Sequence, residues 1–397
     1  MLERRLVVAP RASEQDPPTR APTRARYTAV AFTLALIGVA YLDRVCIATA
    51  APVIKRDLAL SDAAMGLVFS AFTFAYALFE VPSGWLADRF GARVTLTRIV
   101  VWWSMMTAAT GLAGGLLSLV LIRLLFGAGE AGTFPATARV YARWLPRAER
   151  GRMFGLAIMT GALAGAATQP LVVALLARMS WRHVFAIFGS VGILWALAWW
   201  WWFRDDPRQH AKVNEAEYRL MAAGGAETRH RGAPPWGKLV RNRTMLALCC
   251  MYGGVIYGWY FYLTWLPTYL LRARGFDLKQ AGWLAALAVL GAVGTPDPMR
   301  AALLLAAAAG LAALGVAPAW AVCLEIGGVH AGVVSGAMNT LGNLGGAASP
   351  IVVGIALDRW NSWQAPLVSV AALYVVSALC WLAIDPAQRI ETAEVRR

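Results

Sequence analysis

The sequence predicts an all-α polytopic membrane protein, and three observations carry that reading. Of 397 residues, 59% are hydrophobic and only 15% charged, where a soluble domain averages about 25% charged. Mean hydropathy is +0.54. The apolar residues also run continuously instead of alternating, which favours spanning helices over the strands of a barrel.

About 20 apolar residues cross about 30 Å of hydrocarbon as a helix. Windows of about that length occur at 28–42, 63–79, 94–123, 153–176, 184–203, 245–262, 301–324, 333–357 and 365–384. Residues 1–26 form a basic tail with no apolar core, so they do not read as a signal peptide. Residues 27–203 make a first bundle of six transmembrane helices, ending in "WALAWWWWF" (195–203), a run suited to an interfacial aromatic belt. Residues 204–243 are the one long polar stretch, with paired glycines and paired prolines, and read as a cytoplasmic linker. A second bundle follows over 244–385, then a tail over 386–397.

The net charge of +15 does not point to nucleic acid. Basic residues cluster in the N-terminal tail, in 143–152 and in the linker, on alternate loops, as the positive-inside rule expects of the cytoplasmic side. That places the N-terminus in the cytoplasm of a multi-pass protein of the plasma (inner) membrane. Cys46, Cys249, Cys250, Cys323 and Cys380 lie mostly within spans and show no ligand spacing, so neither disulfides nor a metal site is expected. The histidines offer little: His183 follows "SW" and an arginine at a helix start, and His210, His230 and His330 fall in loops. No nucleophile–base pair or metal set indicates an enzyme.

The two bundles read as copies of one another. "TGALAGAATQPLVV" (160–173) aligns with "TLGNLGGAASPIVV" (340–353) at an offset of 180. Upstream, Pro52 pairs with Pro267 at an offset of 215 and Gly66 with Gly282 at 216. A repeated bundle joined by a polar linker is characteristic of transporters whose substrate site lies near the midplane between the halves.

Four charges stand inside the spans: Asp43 and Arg44 on the first helix, Arg123 and Glu130 on the fourth. A charge at the bilayer centre costs about 2.5–3.5 kcal/mol on insertion scales, so such residues face the bundle interior or a water-filled cavity and pair with one another. Arg123 and Glu130 are seven residues apart, hence on one helix face two turns from each other. A structural ion pair and a charged-substrate site both fit this pattern. A second signal is "GWLADRFGAR" (84–93), where Gly84 and Gly91 permit tight turns while Asp88, Arg89 and Arg93 can bind the ends of neighbouring helices.

That string resembles the signature loop of the major facilitator superfamily. Together with "YLDR" (41–44), "RLLFGAGEAGTFPA" (123–136), "WLPTYL" (265–270) and "SGAMNTLGNLGG" (335–346), it resembles the superfamily's anion:cation symporter family over nearly the whole chain. That branch contains proton-coupled importers of hexonates, hexuronates and aldarates, D-galactonate and glucarate carriers among them. The resemblance implies a major facilitator fold of two six-helix-type bundles. It implies that Asp43 and Glu130 are proton-coupling sites and that Arg44 and Arg123 meet the substrate carboxylate. Tyr41 and Tyr76 line the first half of the cavity by the same resemblance. Tyr257 and Trp259 are weaker correspondences, and Asn339 and Asn343 belong to the segment that contacts sugar hydroxyls, although helix–helix hydrogen bonding explains such asparagines equally well. Gly84, Asp88, Arg89, Gly91 and Arg93 correspond to a conformational latch.

The expected function is proton-coupled symport of a small organic anion by alternating access, with protons as coupling ion and no cofactor. The partners are the anion and the bilayer, and the chain is expected to act as a monomer. An exporter of another organic compound and a non-transporting or defective descendant of a transporter are the alternatives. The second bundle departs from the family pattern. Its repeat offset falls from 216 to 180, a loss of about 36 residues, or about one and a half helices, around helix nine. Residues 280–294 make about 22 Å of helix, too short to enter the membrane and return. The expectation is a stub that leaves helices ten to twelve in family orientation; the alternative is an inverted C-terminal segment with Arg396 and Arg397 outside.

Overall fold

The computed structural model describes residues 21–222, 237, 241–274, 319–320, 322–323, 326 and 331–385. The expectations for helices eight and nine, for most of the span 301–324, for His230 and His330, for the C-terminal tail and for residues 1–20 of the N-terminal tail lie outside the described residues. Within them, eight helical segments are long and apolar enough to cross a membrane.

Helix α1 (Ala25–Asp57) is followed by α2 (Asp62–Thr110), α3 (Leu116–Glu130), α4 (Thr133–Trp144), α5 (Arg147–Leu176) and α6 (Trp181–Trp202). The linker holds a short helix, α7 (Glu215–Ala222). The second half of the chain contributes α8 (Arg243–Arg274), α9 (Ala331–Trp360) and α10 (Gln364–Trp381).

Local chemistry sets these boundaries. Lys55 and Arg56 close α1, where the negative end of its dipole favours cations. Ser61 caps α2, its hydroxyl accepting from the Ala64 amide at 3.1 Å. At Gly91 (φ 83°, ψ 165°), in a region essentially reserved for glycine, α2 doubles back. Tyr76 lies 15 residues before this bend and Trp103 12 residues after it, yet both approach the Asp43–Arg44 segment of α1. Ser180 starts α6, its hydroxyl meeting Nδ1 of His183 at 2.8 Å, a boundary role.

The repeat is visible in the helices themselves. α5 and α9 are each 30 residues long, and Pro170 and Pro350, 180 residues apart, each lie in the C-terminal half of their helix.

The tryptophan run divides by helical register. Trp195, Trp199 and Trp202 are buried in the first bundle, whereas Trp200 and Trp201 are exposed. Only the second pair can serve as the interfacial belt expected of the whole run. His210 packs against the Trp144 and Trp202 rings at 5.4 and 4.5 Å, and burial there holds its imidazole below the usual range. In α7, the buried Glu217 accepts from the Ala25 and Arg26 amides and from Arg26 Nη1, so the linker caps the start of α1.

The apolar core is shared between the two halves of the chain. Where α1 ends and α2 begins, a single cluster joins Ile47, Ile54 and Phe69 of the first half to Phe261, Trp265 and Val353 of the second. Elsewhere, a cluster around Trp103 and Trp144 of the first half also takes in Tyr260 of α8, and another forms around Leu248 and Met338 of the second half. Where α2 begins, the contact between the halves is tight enough that a Cβ on Gly66 would meet the Pro350 carbonyl oxygen at 2.3 Å. Asp358 of α9 accepts from the Asp62 and Ala63 amides at 2.9 and 2.7 Å. Asp62 also pairs with Lys55 and, at 2.6 Å, with Arg272 of α8.

Candidate functional site

The intramembrane charges converge where α1, the two arms of α2, and α3 meet. Arg44 Nε donates to Glu130 Oε1 at 2.6 Å, with the Glu130 side chain fully buried. The Arg44 guanidinium also lies over the rings of Tyr76 (4.7 Å), Phe72 (5.1 Å) and Tyr41 (5.5 Å). Arg123 stacks over Phe126 and Phe72, at 4.4 and 4.9 Å. Asp43 is fully buried within electrostatic reach of Arg123 and Glu130, beside Trp103 and Thr107. Neither Asp43 oxygen, nor Arg123 Nε, nor Glu130 Oε2 has a hydrogen-bond partner among the described residues. Buried polar groups are ordinarily satisfied, and a structural ion pair needs no such surplus of unmet donors and acceptors.

Glu130 owes its position to a break in the chain. It is the last residue of α3; Gly132 adopts φ 92°, and α4 begins at Thr133. A Cβ on Gly132 would also lie 2.4 Å from Cβ of Ser83, so glycine answers both the backbone angle and the close approach of α2. Read as one apolar run, 123–136 gave no sign of this break, although its glycines were the available signal. Gly161 on α5 makes room for the Tyr41 ring, which a Cβ there would meet at 2.6 Å.

The second half of the chain approaches through α8 and α9. Asn339 Nδ2 donates to Glu80 Oε1 at 2.5 Å, Asn343 Nδ2 to the Asn339 carbonyl at 3.0 Å, and Tyr260 Oη to Asn343 Oδ1 at 3.3 Å. Tyr260 is also within electrostatic reach of Arg44. Tyr257 is placed elsewhere, its hydroxyl 3.0 Å from Ser369 Oγ on α10. Trp259 is half-buried, one residue and so about 100° around the helix from Tyr260.

Glu80 and Tyr260 escaped the sequence reading. Glu80 stands just past the apolar window 63–79, where an acid reads as a helix end. Tyr260 lies in a run of aromatics whose inward-facing member only the helix register reveals.

The signature loop sits at the bend of α2. Asp205, just beyond α6, accepts from the Ala92 and Arg93 amides at 2.6 and 3.2 Å, capping the second arm of α2. Arg93 Nε and Nη2 donate to the Trp200 carbonyl at 3.0 and 2.5 Å, near the C-terminal end of α6. Arg89 is exposed; Gly84 and Asp88 lie on the first arm of α2, in the turns before the bend.

Residues 33–296 match the family model of the Major Facilitator Superfamily. The chain is 33% identical to the probable sulfoacetate transporter of Cupriavidus necator, the match covering 90% of this chain and 93% of that protein. It is 29% identical to the D-galactonate transporter of Escherichia coli, covering 91% and 96%, and 28% identical to the probable galactarate/D-glucarate transporter of Bacillus subtilis, covering 94% and 95%. Among solved structures, a bacterial homolog of the human lysosomal transporter Spinster, inward-facing and unoccupied, superposes with a TM-score of 0.72 at 20% identity, over 93% of this chain and 99% of that one. These relatives are transporters, not enzymes. With its family match, the eight apolar spans among its described residues and its doubled-back α2, this multi-pass membrane protein belongs to the major facilitator superfamily, among the sugar-acid and related organic-anion transporters.

Proposed function

We propose that this chain carries a small organic anion, a sugar acid of the hexonate, hexuronate or aldarate class, together with protons by alternating access. The observation that carries the reading is the buried Arg44–Glu130 pair at 2.6 Å, with Arg123 and Asp43 beside it. With Asp43 and Glu130 ionised, the two arginines are neutralised internally and an entering anion gains little. With both acids protonated, Arg44 and Arg123 are free to take a carboxylate in charge-assisted, bidentate contact. Loss of the protons on the other side restores the internal pairs and displaces the substrate. Coupling is then a difference in anion affinity between two protonation states, as linkage requires.

Tyr41, Tyr76, Tyr260, Asn339 and Asn343 supply hydroxyl and amide groups from both halves for the rest of the substrate. The loop 84–93, held by Asp205 and by the end of α6, acts as the latch on which the helices of the first bundle turn. Residues 27–203 and 244–385 are the two moving bundles and 204–243 the linker. With the N-terminus in the cytoplasm of the inner membrane, the end at which Asp62 meets Arg272 and Asp358 faces outward. The chain works as a monomer.

The test is uptake of labelled acids by proteoliposomes holding the purified protein, with the inside made alkaline. Accumulation above the outside concentration that collapses with a protonophore is expected for at least one acid. Uptake that is never uphill, whatever the acid, would overturn the proposal.

A further inference from the structure

Glu80 is a buried acid that the exchange of protons and anion just described leaves unused. It lies one helical turn beyond Tyr76 on the first arm of α2, so the two share a face. Its Oε1 receives Asn339 Nδ2 from α9 at 2.5 Å, across the boundary between the two halves of the chain. Its Oε2 is buried with no hydrogen-bond partner among the described residues. Arg44, Tyr76 and Tyr252 lie within electrostatic reach of the carboxyl. The buried polar cluster therefore has two poles. Arg44 and Arg123, with Asp43 and Glu130, form one; Glu80, with Asn339 and Asn343, forms the other.

From this juxtaposition we infer that Glu80 is a specificity-determining residue, restricting the site to acids that carry a single anionic group and a hydroxyl-bearing far end. The inference rests on the function proposed above and narrows it. When Asp43 and Glu130 are protonated and Glu80 is ionised, the two arginines leave the cluster with one net positive charge, which a monoanion cancels. The substrate carboxylate takes the arginines, and the far end meets Glu80 Oε2, whose lone pairs accept from a hydroxyl. A second carboxylate or a sulfonate at that end would face Glu80 directly, and like charges juxtaposed in a buried interface are strongly disfavoured. Discrimination of this kind works by repulsion of the wrong ligand as much as by attraction of the right one.

A glutamine at this position separates selectivity from mere contact between the bundles. It keeps an oxygen for Asn339 and replaces the unpartnered oxygen with an N–H donor, which suits a second carboxylate. The probes are D-galactonate and galactarate, six-carbon acids that differ only in a hydroxymethyl against a carboxylate at the far end. 3-Hydroxypropionate and malonate form a shorter pair with the same difference. Binding to the purified full-length chain is measured by titration calorimetry for the wild type, Glu80→Gln, Glu80→Ala and Glu80→Asp.

The wild type is expected to prefer the monoanion of a pair. Glu80→Gln and Glu80→Ala should each raise the dianion-to-monoanion affinity ratio at least about tenfold, and Glu80→Asp should keep the wild-type ratio. Equal changes in both affinities, leaving the ratio in place, would reduce Glu80 to a contact between bundles and overturn the inference alone. Absence of binding by all four acids to all four proteins would overturn the proposed function and this inference with it.

Discussion

Arg44 makes a 2.6 Å bond to Glu130 on another helix, while its immediate neighbour Asp43 is buried without a hydrogen bond among the described residues. Adjacent residues on a helix point about 100° apart, so one turn of α1 serves two different surroundings. Glu130→Gln holds the site in a form that resembles the protonated one. It is expected to abolish pH-driven accumulation while leaving exchange of labelled for unlabelled substrate at equal pH; uphill accumulation by this variant would move the proton role to Asp43. Arg123→Ala removes a cation from a buried cluster that holds two acids, a class of change that costs about 3–5 kcal/mol. Affinity for the transported acid is expected to fall at least about a hundredfold, and unchanged affinity by titration calorimetry would take Arg123 out of the site. The four intramembrane charges were legible in the sequence because lipid makes them conspicuous. Glu80 was not, because its place at the edge of an apolar window hid its burial.

At the scale of elements, the bend of α2 depends on Gly91 and Asp205 acting together. Gly91 has φ 83°, and a Cβ there would fall 2.7 Å from the Asp205 carboxylate that caps the second arm. Gly91→Ala meets both the backbone penalty, about 1–3 kcal/mol for such a conformation, and that collision. Asp205→Ala loses only a cap, about 0.5–2 kcal/mol. Thermal unfolding in detergent is expected to show Gly91→Ala lowering Tm more than Asp205→Ala; the reverse order would mean that the cap, not the bend, holds the loop. The string 84–93 announced this loop through its glycines and charges. Its partner Asp205 lies more than a hundred residues away and carries no mark in the sequence.

For the molecule as a whole, the decisive feature is the tight end at which α1 and α2 meet α8 and α9. Gly66 against the Pro350 carbonyl and Asp62 among Lys55, Arg272 and Asp358 close that end. A leucine at position 66 has no room between α2 and α9, and overpacking of this kind typically costs about 1–3 kcal/mol. Gly66→Leu is therefore expected to shift the population toward conformers open at this end. Spin labels at the C-terminal ends of α1 and α8 should then report longer distances than in the wild type, with uptake slowed at least about tenfold. Unchanged distances would show that the contact of Gly66 with Pro350 tolerates the added side chain and does not gate access.

Taken alone, the sequence determined the helical membrane class, the four intramembrane charges and the signature loop. Each follows from local composition or spacing, because a bilayer admits few solutions: apolar runs must be helices, and charges within them must face one another. Only the tertiary structure decided that Arg44, not Arg123, holds Glu130, that α3 breaks at Gly132, that Tyr260 faces the cluster where Tyr257 does not, and that Glu80 reaches Asn339 across the two halves. Those facts turn on helix rotation and on which faces meet, and a helix carries many apolar faces that satisfy lipid equally well. Contact with a particular partner selects among them.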